Sequence, residues 1–314
     1  MPEQITRRRV ELPAGRAMMV RSDDGTRLHT EIFGPDDGYP IVLSHGITCA
    51  LRVWHNQIAG LSADHRVIAF DHRGHGRSEI PGHRHGYRLD HLADDLDAVL
   101  DATLRPGQRA VIAGHSMGGI AIAAWSDRHR DSVPHRADAV ALINTTTGDL
   151  LRELRILNMA DVLATTRIRV AEQVIRAIGS LKVPRVAGWT GRRFVAAMAV
   201  GADADPAVAD VVFELFMGTA PVARGGCARM LADELGSEYL LLDGLTVPAL
   251  VIGSKKDRLV PIGQSRKIAD AVPNLARLVE LGGGHCSILE RPEEVNWHLR
   301  ELVASVTQVR EATS

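Results

Sequence analysis

The segment Val111-Ile112-Ala113-Gly114-His115-Ser116-Met117-Gly118-Gly119-Ile120 runs from a short apolar stretch, through a serine set among glycines, into residues of helical spacing. A strand that turns at once into a helix forces strained backbone on the turn residue. Small residues two positions to either side, here Gly114 and Gly118, avoid the clash that such a turn creates. The turn lifts the Ser116 hydroxyl above the sheet at a helix N-terminus, where the unpaired N–H of Met117 can meet a developing oxyanion. G-x-S-x-G alone is weak evidence, and the strand-turn-helix context gives it force.

Outward from this segment, the chain reads as alternating strands and helices, the pattern of a mostly parallel sheet. Ala17–Val20 and Leu28–Phe33 flank the turn-rich Ser22-Asp23-Asp24-Gly25, which predicts a starting hairpin. Ile41–Leu43, Val67–Phe70, Ala110–Ala113 and Ala139–Ile143 are brief apolar runs bounded by turn residues, as buried parallel strands are, and strand signals return at Ala249–Ile252 and Ala276–Leu281. Leu92, Leu96, Val99 and Leu100 recur at helical spacing, and Asp90, Asp94, Asp97 and Asp101 on the other face read as a solvated surface. Between Thr147 and Leu235 the strand signals stop. The clearest helix there has Asp205 as N-cap, Pro206 at its first position and Val208, Val211, Val212, Leu215 and Phe216 on one face. The expected organisation is a core of residues 1–146 and 236–314 interrupted by a helical insertion, 147–235. Pro292 opens a last helix with Val295, Leu299, Leu302 and Val303 on its apolar face.

A serine nucleophile needs a base, and the base needs a carboxylate to orient it. His285 follows the last strand run on the loop Gly282-Gly283-Gly284-His285, whose glycines let it reach toward the carboxyl edge of the sheet. Asp257 lies just past Leu250-Val251-Ile252, in Gly253-Ser254-Lys255-Lys256-Asp257-Arg258. Functional groups gather at that end of such sheets. The histidines of Asp71-His72-Arg73-Gly74-His75 and of His83-Arg84-His85 have no carboxylate or cysteine at a metal-ligand spacing, so neither is assigned to a metal. Cys286 beside His285 lacks the elbow a nucleophile uses and reads as a buried thiol.

From about Arg21 to Val303 the sequence resembles the α/β-hydrolase family. The matching pieces are the elbow at Ser116, Ser44-His45-Gly46-Ile47-Thr48 after the first parallel strand, Asp71–Ser78 after the second, and the chain order Ser116, Asp257, His285. The resemblance implies an α/β-hydrolase fold: a mostly parallel twisted sheet flanked by helices, with the insertion as a helical cap. It also implies Ser116, Asp257 and His285 as catalytic residues and an oxyanion hole from the N–H groups of Ile47 and Met117. Ser116 stands where epoxide hydrolases and haloalkane dehalogenases of this fold carry Asp, so acyl-enzyme chemistry is expected. Gly46 is followed by Ile47-Thr48 rather than further glycines, which places the chain nearer to small esterases and monoacylglycerol lipases. The expected activity is hydrolysis of a carboxylic ester, small or lipid-like. Carbon–carbon bond hydrolases, lactonases, thioesterases and cofactor-free haloperoxidase-like enzymes use the same triad, and a non-catalytic ligand-binding member is the remaining alternative. The cap lining is expected among Leu154, Leu157, Met159, Leu163, Phe194, Met198, Phe213, Phe216 and Met217, most of which must also hold the cap together, so that core is the expected role of any single one.

Composition bounds the partners. The 314 residues are 45% hydrophobic and 24% charged with a formal net charge of −1, a globular profile without the basic stripe that nucleic acid requires. The three cysteines, Cys49, Cys227 and Cys286, form no disulfide framework and read as reduced thiols. Arg7, Arg8 and Arg9 are not followed by an apolar stretch, so no secretory signal is assigned and a cytoplasmic location is expected. No window of about 18 apolar residues would span a membrane. Nine Arg and Lys against four Asp and Glu between Asp149 and Val195 read first as a solvated face and leave room for contact with anionic lipid or acidic substrates. No cofactor and no metal are expected.

Overall fold

The computed structural model describes residues 12–83, 85–148, 188–236 and 238–313. Eight strands form one sheet: β1 Arg16–Arg21, β2 Arg27–Phe33, β3 Tyr39–Ser44, β4 His65–Phe70, β5 Ala110–His115, β6 Ala137–Ile143, β7 Ala249–Ser254 and β8 Leu275–Leu281. Their order is β1-β2-β4-β3-β5-β6-β7-β8. The first two strands pair antiparallel through the turn at Ser22–Thr26, β2 pairs antiparallel with β4, and every later pairing is parallel. This is the α/β-hydrolase fold, and each of the eight strand segments read from the sequence is one of its strands.

The central strands β3, β5, β6 and β7 are buried on both faces apart from Tyr39, because helices cover the sheet on either side. The core helices are α1 His55–Leu61, α2 Leu89–Thr103, α3 Met117–Arg128 and the short α4 Val133–Arg136. Between β6 and β7 come α5 Gly188–Ala199, α6 Pro206–Gly218 and α7 Pro221–Leu235, the described part of the inserted helical region. Then follow α8 Ile262–Ala271, the short α9 Ser287–Glu290 and α10 Pro292–Thr313. Asp205 caps α6 by accepting the Ala207 N–H at 2.8 Å, and Pro206 occupies the first turn as its sequence requires. Val295, Leu299, Leu302 and Val303 are buried along α10.

The aspartate face of α2 is solvated at its ends, where Asp90 and Asp101 are exposed, and covered in the middle. Asp94 is only 7% exposed and accepts from Arg128 at 2.6 Å and His129 at 2.8 Å, while Asp97 accepts the Trp125 indole N–H at 2.8 Å. Asp101 pairs with Arg136. Helix α3 packs along this face, and its far end supplies cations and a donor that helical periodicity within α2 alone cannot reveal.

No single described helix is long and apolar enough to cross a membrane; α6 and α7 would pass such a test only jointly, across a 98° bend. The arginines at 7–9, most of the basic stretch 149–195, and Leu154, Leu157, Met159 and Leu163 lie outside the described residues, as does the side chain of Phe194.

Candidate active site

Parallel register brings the ends of β3, β5, β6, β7 and β8 to one edge: Ser44 lies beside Gly114, His115 beside Ile143, Ile143 beside Ile252, and Ser254 beside Leu281. Ile47, Ser116, Met117, Asp257 and His285 all lie just past the ends of these strands. Ser116 sits between β5 and α3 with φ 54°, a left-handed conformation that costs a non-glycine residue about 1–3 kcal/mol. The surroundings hold it there. Its N–H donates to Ile143 O at 3.0 Å, and its carbonyl accepts from Gly119 N–H at 2.9 Å and the Thr145 hydroxyl at 2.7 Å. A Cβ on Gly118 would lie 2.0 Å from Ser44 O, and one on Gly114 would lie 2.4 Å from the Gly118 carbonyl carbon. Only glycine permits the elbow to press against β3.

His285 and Asp257 meet as the sequence requires, with Nδ1 and Oδ2 2.8 Å apart and both residues buried. Burial alone would raise the Asp257 carboxyl, but the facing imidazole, the Val260 N–H and the Asn144 amide hold it below the ordinary carboxylate range. Oδ1 accepts from Leu259 N–H at 2.9 Å and Val260 N–H at 2.8 Å, and Oδ2 also accepts from Asn144 Nδ2 at 2.9 Å. Asn144, at φ 45° just past β6, gives its second amide contact to Ser254 Oγ at 3.0 Å and accepts from Ser287 Oγ at 2.5 Å. With Nδ1 facing Asp257, Nε2 is the imidazole nitrogen left for a substrate or for Ser116. Ser116 and His285 line one cavity, and no hydrogen bond joins their side chains in this unliganded arrangement.

That cavity, about 170 Å³, is walled by Ile47, Met117, Ile120, Leu259 and Val260 from the core and by Ala199, Val212 and Leu231 from the insertion. The insertion's wall thus differs from the expected one: Met198, Phe213, Phe216 and Met217 do not line the cavity, and Phe216 instead lies 4.5 Å beneath the Arg224 guanidinium. Val212 projects from the same helix on the face that meets the core, where it is buried. Ile47 and Met117 flank Ser116, and neither N–H donates to a backbone carbonyl among the described residues. Cys49 and Cys286 line the cavity as free thiols; burial pushes Cys49 up to about 12 and Cys286 well above its ordinary value, so neither is poised as a thiolate.

The histidines of the Gly46 and Asp71–Ser78 loops act as fasteners. His45 accepts the His72 N–H at 3.0 Å, the His72 ring meets Ser44 Oγ at 2.9 Å, and His75 Nε2 accepts the Thr48 N–H at 3.2 Å. Burial keeps all three below the ordinary imidazole range, His75 at about 3. Asp71 gathers the Leu51 and Arg77 N–H groups at 2.7 and 2.9 Å, which closes this loop against the one carrying Ile47. His115 points the other way: its Nε2 donates to the His285 carbonyl at 2.9 Å, and burial lowers its pKa to about 3.

Sequence reasoning missed Asn144, Thr145, His115, Ser254 and Ser287. The run Asn144-Thr145-Thr146-Thr147 directly after the apolar β6 was the available signal, since such a polar cluster at a strand's carboxyl end must bond to something.

Residues 39–292 match the family described as alpha/beta hydrolase fold. The chain is 30% identical over 286 residues to a provisional carbamate hydrolase, RutD, of Variovorax paradoxus (strain S110), covering 89% of this chain and 97% of that one. Among solved structures, the enol-lactonase from Burkholderia xenovorans LB400 superposes with a TM-score of 0.70 at 27% identity, over 91% of this chain and all of the other. A thermophilic esterase from Thermogutta terrifontis does so with a TM-score of 0.70 at 25% identity, over 93% and 99%. The strained serine elbow, the order of the strands and these full-length similarities agree: the chain belongs to the α/β-hydrolase family.

Proposed function

We propose that the protein is a serine hydrolase that cleaves a carboxylic ester through an acyl-enzyme on Ser116. His285 Nε2 takes the hydroxyl proton as Ser116 attacks the acyl carbonyl, and Asp257 fixes the tautomer through Nδ1 and stabilises the imidazolium. The N–H groups of Met117 and Ile47 receive the oxyanion. His285 then protonates the leaving alcohol, and a water activated by the same imidazole releases the acid. The observation carrying this reading is the Asp257–His285 contact at 2.8 Å, with His285 lining one cavity beside a serine held at positive φ. In unliganded enzymes the serine–base hydrogen bond is often long and tightens only with substrate.

The insertion, taken as residues 147–235, serves as a cap whose Ala199, Val212 and Leu231 close the acyl side of the cavity. With the core's Ile47, Ile120, Leu259 and Val260 this wall suits an uncharged acyl group, and among the described residues no Arg, Lys, Asp or Glu lines it. An ester of a small or lipid-like acid follows, as in the monoacylglycerol lipases that the sequence resembles. Lactone opening is the second reading, because it uses the same steps and the full-length similarity to an enol-lactonase favours it. Turnover of p-nitrophenyl esters from acetate to palmitate, beside aliphatic lactones and acyl thioesters, tests the assignment. Ester hydrolysis abolished by Ser116→Ala supports it. A panel in which only lactones turn over selects the second reading, and Ser116→Ala working at the wild-type rate rejects both.

A further inference from the structure

The loop carrying His285 is bonded to the insertion on both sides of that residue. Cys286 N–H donates to Ala199 O at 3.2 Å. On the other side, Glu290 Oε2 accepts the Gly284 N–H at 2.8 Å and the Gly201 N–H at 3.1 Å. One carboxylate oxygen therefore joins the residue before His285 to the stretch that follows α5, by two charge-assisted hydrogen bonds. The approach is backbone to backbone. A Cβ on Gly284 would lie 2.4 Å from Gly201 N, and a Cβ on Gly201 would lie 2.7 Å from Glu290 Oε2 and 2.9 Å from Gly284 N. Gly283, at φ 95°, turns the loop around the same carboxylate.

The loop carrying Asp257 leans on the same stretch. Arg258 Nη1 donates to Ala197 O at 3.0 Å, Lys256 pairs with Asp203, and the Lys256 N–H donates to Gly283 O at 3.1 Å. His285 and Asp257 are thus each flanked by residues that grip 197–203. Ala199, within that stretch, lines the cavity.

We infer that Glu290 is a positioning residue, which with residues 197–203 of the insertion holds His285 in register with Asp257 and Ser116. This rests on the triad reading above. The chemical requirement is an acceptor of two N–H bonds at a fixed reach, not a charge facing the substrate. Glutamine retains that acceptor, alanine removes it, and aspartate keeps the charge while withdrawing the oxygen by one methylene.

The test measures kcat and KM on p-nitrophenyl acetate, with the rate of fluorophosphonate labelling at Ser116. Glu290→Ala is expected to lower kcat and the labelling rate by about 10- to 100-fold, the cost of displacing a catalytic group by roughly 1 Å. KM should stay within about twofold, as expected when ground-state binding is unchanged. Glu290→Gln is expected to restore both rates to within about threefold of wild type, because hydrogen-bonding reach is what the site requires. Gly201→Ala, which wedges the same contact, should reproduce the loss, and the double variant with Glu290→Ala should be no worse than the poorer single one. If Glu290→Ala does not fold, Glu290→Asp carries the test and should lower kcat with KM unchanged. Wild-type kcat and labelling in Glu290→Ala or Glu290→Asp, or losses that multiply in the double variant, would overturn the inference. Failure of the wild-type protein itself to label would sink the triad reading instead.

Discussion

The two sides of the candidate site are built differently. The elbow side, β3 and β5 with their loops, takes its hydrogen bonds and close backbone contacts from core residues, while the insertion meets it through apolar packing of Met230 and Leu231: Gly114 and Gly118 let α3 press on β3, Asp71 collects backbone N–H groups, and three buried imidazoles fasten the Ile47 loop. The acid and base side, the loops after β7 and β8, is braced by the insertion through Ala197–Asp203 and by Asn144 from β6. The hydrogen bonds that hold the proposed nucleophile lie within the core, whereas those that hold the proposed base and acid reach into the insertion. Changes in the stretch 197–203 are then expected to alter substrate choice and proton transfer together while leaving the hydrogen bonds of the elbow in place.

Substituting the acid breaks the comparison hardest. Asp257→Asn should lower kcat by about 10⁴-fold, because the amide favours the wrong imidazole tautomer, while the elbow and the fold persist. Steady-state kinetics beside a circular dichroism spectrum checks this. Next, Asn144→Ala removes a donor to the buried carboxylate and leaves alanine at φ 45°, and a fall in kcat of about 10- to 100-fold is expected from the worth of a hydrogen bond to a charged group. An unchanged kcat would show that the two backbone N–H groups on Oδ1 suffice.

The elbow side should reveal itself in acid. His75 and His115 are held at about 3 and His45 and His72 also below the ordinary range, all by burial. Between that value and the ordinary imidazole pKa of about 6.5, the unfolded chain binds protons that the folded one refuses, so stability rises with pH across this window and is lost as pH falls through it. Each such histidine contributes up to about 1.4 kcal/mol per pH unit, a tenfold change in the folding equilibrium. Thermal melts from pH 7.5 to 5 should show a falling midpoint, and His75→Gln should flatten the slope. A midpoint independent of pH would mean that these imidazoles protonate in place.

The smallest effect belongs to the cap wall. Val212→Trp should lower kcat/KM for octanoate esters by about tenfold relative to acetate, the scale on which a hydrophobic pocket reads one or two methylenes. An acyl-chain series on wild type and variant decides it, and a uniform loss across all chains would place Val212 away from the acyl group.

How much of this was legible follows from how local each interaction is. The central strands β3, β5, β6 and β7 were readable because burial on both faces writes uninterrupted apolar runs, and the elbow was readable because glycine two residues either side of Ser116 is a local steric demand. Asp257 and His285 were found through their place after strands, without any view of their 2.8 Å contact. Asn144 and Glu290 were not found. Their partners lie 113 residues away at Asp257 and 89 residues away at Gly201, and neither spacing leaves a trace in periodicity. Asp94 and Asp97 of α2 were not told apart from the exposed Asp90 and Asp101 for the same reason: a carboxylate bonded to Arg128, His129 or Trp125 has the same sequence pattern as one bonded to water. On α6 the periodicity gave Val212 on the right buried face, yet Phe216, read on the same face, packs under Arg224 and the smaller Val212 lines the cavity.

The central claim, an activated serine at the elbow, is most directly tested by treating the purified protein with a fluorophosphonate and locating the adduct by mass spectrometry. The account predicts a single modification on the peptide containing Ser116, absent in Ser116→Ala and strongly slowed in Asp257→Asn. Folded protein that stays unmodified, or an adduct that persists in Ser116→Ala, would contradict it.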